Sequence, residues 1–270
     1  MKVHFLFGKS ESAPEELAAM KAAGFDFAEA SVSTILIPAE GAEAWAVQKQ
    51  KLLEAQKILQ YKSLNGFLPG TFKLTGPNPT TEEALAYAET ACRRADEVGI
   101  PYLGLGSSAA RSVPEGYDLE AGKAQFVEYC RELCRRIADC KVRILLENLQ
   151  RKESNILNSL KDSLAVMKAV DSPRLQLMAD CFHMYQVGDS PELLKEVGEH
   201  LFHIHFADPE TRKLPGFSKS TYLLECMKVL AEMKYQGAIS MECSWIEKNS
   251  SFEESWRDGL RVVHQWMAEC

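Results

Sequence analysis

The chain is short of several things, and each shortage removes a class of protein. No apolar run approaches the roughly 20 residues of a membrane-spanning helix, so no span is expected. Basic residues are not in excess: 31 lysines and arginines face 38 aspartates and glutamates, a formal net charge of −7. Nucleic acid and anionic membranes select the opposite balance, so neither is expected as a partner. No G-x-G-x-x-G follows a strand pattern and no G-x-x-x-x-G-K-[ST] occurs, which removes the common dinucleotide and triphosphate signatures. No low-complexity tract or linker interrupts the 270 residues. The eight cysteines never form C-x-x-C or a zinc-knuckle spacing. They read as reduced thiols of a cytoplasmic protein, with Cys181 and Cys243 as small buried hydrophobes. The opening Met1-Lys2-Val3-His4 leads within a few residues into polar sequence, so no secretory leader is expected.

What is present is a strict alternation. Short apolar runs fall at about 3–7, 25–30, 62–67, 102–105, 142–147, 175–180, 201–205 and 237–242. Helical patterns separate them. Ser12-Ala13-Pro14-Glu15 and Thr80-Thr81-Glu82-Glu83 read as capping boxes, and Gly24 and Gly99 close the helices that follow. Phe126, Cys130, Leu133 and Ile137 mark one buried stripe, and Trp256, Leu260, Val263 and Met267 another. Further helices are expected near 158–169, after Ser190-Pro191-Glu192 as far as Gly198, and near 221–233. Alternating strands and helices imply a parallel sheet. Eight units at this length imply one closed (β/α)₈ TIM barrel over residues 1–270, with its site at the C-terminal ends of the strands.

Four successive strand runs end in a metal-ligand residue: Glu147, Asp180, His205 and Glu242. They lie 33, 25 and 37 residues apart, each about one β/α unit. In a barrel they converge at one mouth as hard and borderline ligands for a single divalent ion. An unpaired carboxylate at the end of a buried strand is costly, which gives the same residues a reason to share a cation.

These residues carry a resemblance. The set is similar to the sugar isomerase/epimerase superfamily with the xylose-isomerase-like barrel, particularly the ketose 3-epimerases acting on D-tagatose or D-psicose. It includes D-x-x-H (Asp180, His183) and H-x-H-x-x-D (His203, His205, Asp208). The resemblance implies a metal-dependent isomerase that binds Mn²⁺ or Mg²⁺, with Zn²⁺ or Co²⁺ as alternatives, through Glu147, Asp180, His205 and Glu242. It implies that Glu147 and Glu242 also exchange the substrate proton, through an enediolate that a Lewis acid would stabilise. Glu153, six residues beyond Glu147, matches a glutamate that contacts the substrate's terminal hydroxyl. His183 and Arg212 would orient substrate oxygens. One departure concerns the arginine: the family places it six residues past the ligand histidine, where this chain has Thr211, and Arg212 follows. The expected partner is a sugar or sugar phosphate, and a homo-oligomer is compatible with the sequence. An inosose-type dehydratase or a hydroxypyruvate isomerase would need much the same site. A sugar-binding barrel without activity and an endonuclease-IV-like phosphodiesterase are the remaining alternatives.

Several residues admit more than one role. The 106–116 loop, with Ser107, Ser108 and Arg111, is a phosphate cradle or, more simply, a lid. Lys73 reads as solvated. Phe7 and Trp245 are placed as an apolar wall or as core. Glu29 is expected as a structural or supporting carboxylate, and His203 as a neighbour that steers the ligating histidine.

Overall fold

The computed structural model describes residues 6–9, 13–244 and 252–270. Eight strands, β1 (Leu6–Lys9), β2 (Phe27–Ser31), β3 (Tyr61–Asn65), β4 (Tyr102–Leu105), β5 (Arg143–Glu147), β6 (Leu175–Asp180), β7 (Leu201–Phe206) and β8 (Ala238–Met241), form a closed parallel barrel in sequence order. Closure is made by β1 against β8, with Leu6 opposite Ala238 and Lys9 opposite Met241. The expected barrel is therefore observed, with strand ends shifted by a few residues at most. Val3, His4 and Phe5 of the first run, and the Ser12 cap, lie outside the described residues.

The helices are α1 (Leu17–Ala23), α2 (Val32–Ile35), α3 (Ala42–Ala55), α4 (Thr81–Val98), α5 (Ser108–Arg111), α6 (Leu119–Arg136), α7 (Leu160–Val170), α8 (Cys181–Val187), α9 (Leu193–Val197), α10 (Tyr222–Glu232) and α11 (Phe252–Glu269). Gly24 and Gly99 end α1 and α4 in left-handed conformations, as expected. The Thr80 capping box is not formed. The Thr80 hydroxyl instead accepts from the Lys73 backbone N–H at 2.8 Å, tying down the preceding loop. The helix expected from Ser190 begins only at Leu193, without a side-chain cap. Three short helices were not signalled by periodicity: α2, α5 and α8. Each follows a strand within a few residues, at the end where barrel sites form. None of the described helices is long and apolar enough to cross a membrane.

The core has two layers, set by the two-residue period of the strands. Ile144, Leu146, Leu177, Ala179, Ile204 and Phe206 are fully buried and pack with the helices in one continuous apolar cluster. The alternate residues point into the barrel: Phe27 and Glu29, Ser63 and Asn65, Leu145 and Glu147, Met178 and Asp180, His203 and His205, Ala238 and Ser240. The first member of most pairs is apolar, and the second, nearer the C-terminal ends, is polar. TIM-barrel interiors are usually filled by branched aliphatics, so this upper layer is chemically unusual. Gly104 makes room for it: a Cβ there would lie 2.3 Å from Asn65 Oδ1 and 3.0 Å from Met178 Sδ.

Candidate metal centre and substrate cavity

Local chemistry explains how the four candidate ligand residues are presented. Asp180 ends β6 and is also the N-cap of α8, its Oδ1 accepting from the His183 backbone N–H at 2.9 Å. Such a cap contributes about 1 kcal/mol, and it leaves Oδ2 free to face the barrel mouth. Asn148 locks the neighbouring strand end. Its amide accepts from Asp180 N–H at 2.9 Å and donates to Asp180 C=O at 3.1 Å. Glu242 follows β8, and its backbone N–H donates to Phe206 C=O at 3.0 Å.

One ligand atom from each of Glu147, Asp180, His205 and Glu242 lies within 4.8 Å of the other three. His205 Nδ1 is 3.2 Å from Glu147 Oε1, 3.7 Å from Glu242 Oε2 and 3.9 Å from Asp180 Oδ2. Burial raises the Glu147 pKa, but the hydrogen bond and charge of His205 outweigh it and hold the group below the ordinary carboxylate range. Glu242 goes the other way. Burial, reinforced by the charges of Glu147 and Asp180 against the relief from His205 and Arg212, pushes it up to about 8. Burial lowers the His205 pKa, but Glu29, Glu242 and Glu147 more than reverse it, and the imidazole holds its proton well above the usual range. Three carboxylates this close therefore rely on a borrowed proton and a protonated histidine. A divalent cation among oxygen donors and one imidazole fits the same space with better compensation.

Beneath the quartet lies a second cluster. Glu29 meets His205 Nε2 at 3.0 Å and His203 Nε2 at 2.8 Å. Asn65, which the strand pattern did not single out, donates to Glu29 Oε1 at 3.0 Å and Glu242 Oε1 at 3.2 Å. The signal that could have found Asn65 was its place at a strand end before Gly66, the kind of position that the quartet residues also occupy.

Above the quartet a cavity of about 230 Å³ is lined by Glu147, Glu153, His183, Arg212 and Glu242, with Ser31, Asn65 and the Gly106–Ser108 backbone closing its sides. His183 is fully buried, and neither ring nitrogen has a hydrogen-bond partner among the described residues. Its Nε2 lies 3.8 Å from both Glu153 Oε2 and Asp180 Oδ2. Arg212 donates to Glu153 Oε1 at 2.9 Å and Glu242 Oε2 at 3.2 Å, with its guanidinium 5.0 Å from the Phe182 ring centre. All seven residues expected at the site are thus brought together. Phe7's side chain and Trp245 lie outside the described residues.

In the 106–116 loop, Ser107 and Ser108 line the cavity, but Arg111 does not. Arg111 is fully buried and donates to the Leu105 and Glu147 carbonyls at 3.1 and 2.8 Å, stapling the ends of β4 and β5. Lys73 is not simply solvated: its ammonium donates to Gly70 C=O at 3.0 Å and Ala109 C=O at 2.9 Å, joining two loops.

Comparison with known proteins places this geometry. A model of the xylose isomerase-like TIM barrel matches residues 17–270. The chain belongs to the xylose isomerase-like TIM barrel family. A probable ketose 3-epimerase from Synechocystis sp. is 32% identical over 203 residues, 68% of each chain. A D-psicose 3-epimerase from Enterocloster bolteae is 28% identical over 144 residues, 52% of this chain and 47% of that protein. The match therefore spans about half the length of that relative. A solved D-psicose 3-epimerase from Clostridium cellulolyticum H10, with D-tagatose, superposes with a TM-score of 0.84 at 19% identity. It covers 97% of this chain and 99% of that one. That likeness is one of fold.

Arg212, one residue past the position that the resemblance implies, reaches Glu153 and Glu242 in this member of the xylose isomerase-like family. The loop after β7 shows how. Asp208 Oδ1 accepts from Thr211 N–H at 3.1 Å and its hydroxyl at 2.8 Å, and Oδ2 accepts from the Ser218 N–H and hydroxyl, both at 2.7 Å. Thr211 is thereby turned toward the loop's own anchor. Arg212, at a left-handed φ of 56°, then carries its side chain into the cavity. A side chain other than glycine at such a φ costs energy and persists where its surroundings hold it.

The same electrostatics set a pH dependence. At neutral pH both His205 and Glu242 hold protons in the metal-free site, and both must lose them to act as ligands. Loading with Mn²⁺ near pH 7 is expected to release between one and two protons. Apparent affinity should therefore strengthen from about pH 6 to about pH 8. Calorimetric titration in buffers of different ionisation enthalpy measures this release directly. Binding without proton release at pH 7 would contradict these protonation states.

Proposed function

We propose that the protein is a divalent-metal-dependent epimerase of free ketoses, exchanging the proton on the carbon next to the carbonyl. The observation that carries this reading is the placement of Glu147 Oε1 and Glu242 Oε2 at 3.2 and 3.7 Å from His205 Nδ1, with both residues lining one small polar cavity. When bound at the quartet, a divalent ion supplies Lewis-acid stabilisation of the oxygen charge that develops as the proton leaves. The protein's residues do the rest. Glu147 and Glu242, the two carboxylates of the quartet that also line the cavity, are the pair placed for acid/base work. One takes the proton from one face of the sugar, and the other returns a proton to the opposite face. Glu153 and Arg212 form a paired anchor for hydroxyls at the far end, and His183 offers two ring nitrogens to substrate oxygens.

The charge of the cavity supports a neutral sugar over its phosphate. Its described lining carries Glu147, Glu153 and Glu242 against Arg212, which two of them already engage. A phosphate dianion would be brought against carboxylates, with no uncommitted arginine to meet it. The cavity's size also suits a small polar molecule. The Synechocystis and Enterocloster relatives, named as 3-epimerases, direct the choice of carbon to C3.

The test is to incubate the Mn²⁺-loaded protein with a panel of free hexuloses and pentuloses and with their terminal phosphates, followed by chromatography. The expected result is conversion of a free ketose to its C3 epimer. Conversion of the phosphates alone, or loss of water from the product, would overturn it.

A further inference from the structure

Glu29 lies inside the barrel, below the quartet, and none of its surface is exposed. A carboxylate in that position must be compensated or it destabilises the fold. Its compensation is specific. Oε1 meets His205 Nε2 at 3.0 Å and the Asn65 amide at 3.0 Å, while Oε2 meets His203 Nε2 at 2.8 Å and the Ser240 hydroxyl at 3.1 Å. These four donors come from β3, β7 and β8, so the carboxylate cannot move without breaking bonds to three strands.

Of the four, only His205 also belongs to the quartet. An imidazole can present either nitrogen to an ion, and the hydrogen bond made by the other nitrogen decides which. Here Glu29 holds the Nε2 edge, which leaves Nδ1 as the edge facing Glu147, Asp180 and Glu242. We propose that Glu29 is a positioning residue that fixes the His205 ring with Nε2–H on its carboxylate and Nδ1 toward the quartet, and thereby sets the site's affinity for its divalent ion. The inference rests on the metal reading above.

Glu29, His203 and His205 could themselves hold an ion, since their ligand atoms also lie within 4.8 Å of one another. The contacts argue otherwise. Separations of 2.8 and 3.0 Å are direct hydrogen-bond lengths, and the Ser240 and Asn65 donors point at the same carboxylate oxygens, where an ion would repel them.

The experiment is a Mn²⁺ titration followed by electron paramagnetic resonance of the free ion, on wild type, Glu29→Gln and His203→Gln. The last variant keeps an amide donor for Glu29 and does not touch the quartet. Glu29→Gln is expected to weaken binding about 10- to 100-fold, and His203→Gln by far less. A second measurement needs no variant: in the Zn²⁺-loaded protein, ¹⁵N spectra should show His205 Nε2 protonated and Nδ1 shifted by the metal. Unchanged affinity in Glu29→Gln, equal losses in both variants, two ions per wild-type chain, or metal on Nε2 would each overturn the proposal. A wild-type chain that binds no divalent ion would overturn the metal reading with it.

Discussion

Glu147→Gln is expected to lower kcat by about 10³-fold or more at saturating metal, and Glu242→Gln by a similar factor, while both variants stay folded. The substitution is nearly isosteric, and Glu147 keeps its place because the staple from Arg111 is made to its backbone carbonyl, not to its carboxylate. What is lost is the group that carries a proton. The two variants should also differ from one another. Each should still exchange solvent hydrogen into the epimer whose C–H faces the surviving glutamate, because that half-reaction needs one base. Neither should complete the epimerisation. Comparing solvent exchange with product formation for both epimers separates these roles, and activity near wild type in either variant contradicts the mechanism.

Gly106→Ala is the second large effect, and it separates function from stability. A Cβ at Gly106 would lie 2.1 Å from Glu147 Oε2. That atom is the far end of a rotatable side chain, so the fold can yield at little cost by turning the carboxylate away. The site cannot yield in the same way, because turning the carboxylate of the proposed base also moves Oε1, which lies 3.2 Å from His205 Nδ1. A misplacement of about 1 Å at a reacting group costs about 10²-fold in rate. Gly106→Ala should therefore lose about two orders of magnitude in kcat/KM and bind Mn²⁺ more weakly, with a melting temperature close to that of wild type. Full activity would show that the Gly106 backbone does not confine Glu147. A collapse in stability would show that the loop cannot adjust as argued.

Much of this was legible in the sequence, for a physical reason. Parallel barrel strands are buried on both faces, so a run such as Leu177-Met178-Ala179-Asp180 shows its polar residue only where the chemistry needs it. The quartet stood out on that account, whereas Glu153 and the substrate role of His183 came only with the family resemblance. Asn65 did not stand out, because the apolar pattern runs on to Phe67 and leaves the amide inside the run, not at its end, whereas β3 stops at Asn65. Its role depends on Glu29 and Glu242, from two other strands. Helix α8 was also missed, although Asp180 followed at three residues by His183 is N-cap spacing. The motif's apparent metal chemistry concealed its second use as a cap. Arg111 shows the opposite limit. An arginine in a serine-rich loop suggests an anion, but this one is spent inside the protein on two carbonyls, and only the packing of β4 against β5 shows it. Thr80 failed as a cap because the hydroxyl found the Lys73 N–H first, a contact set by the loop and not by the helix pattern.

The most direct measurement of the central claim is hydrogen exchange into substrate. The Mn²⁺-loaded protein would be incubated in D₂O with a free ketose that it converts, alongside a metal-stripped sample, and the recovered sugars analysed by mass spectrometry and NMR. The account predicts one deuterium at C3 of the product, dependent on metal and absent in Glu147→Gln/Glu242→Gln. Epimerisation without solvent deuterium at C3, or incorporation that persists after the metal is removed, would contradict it.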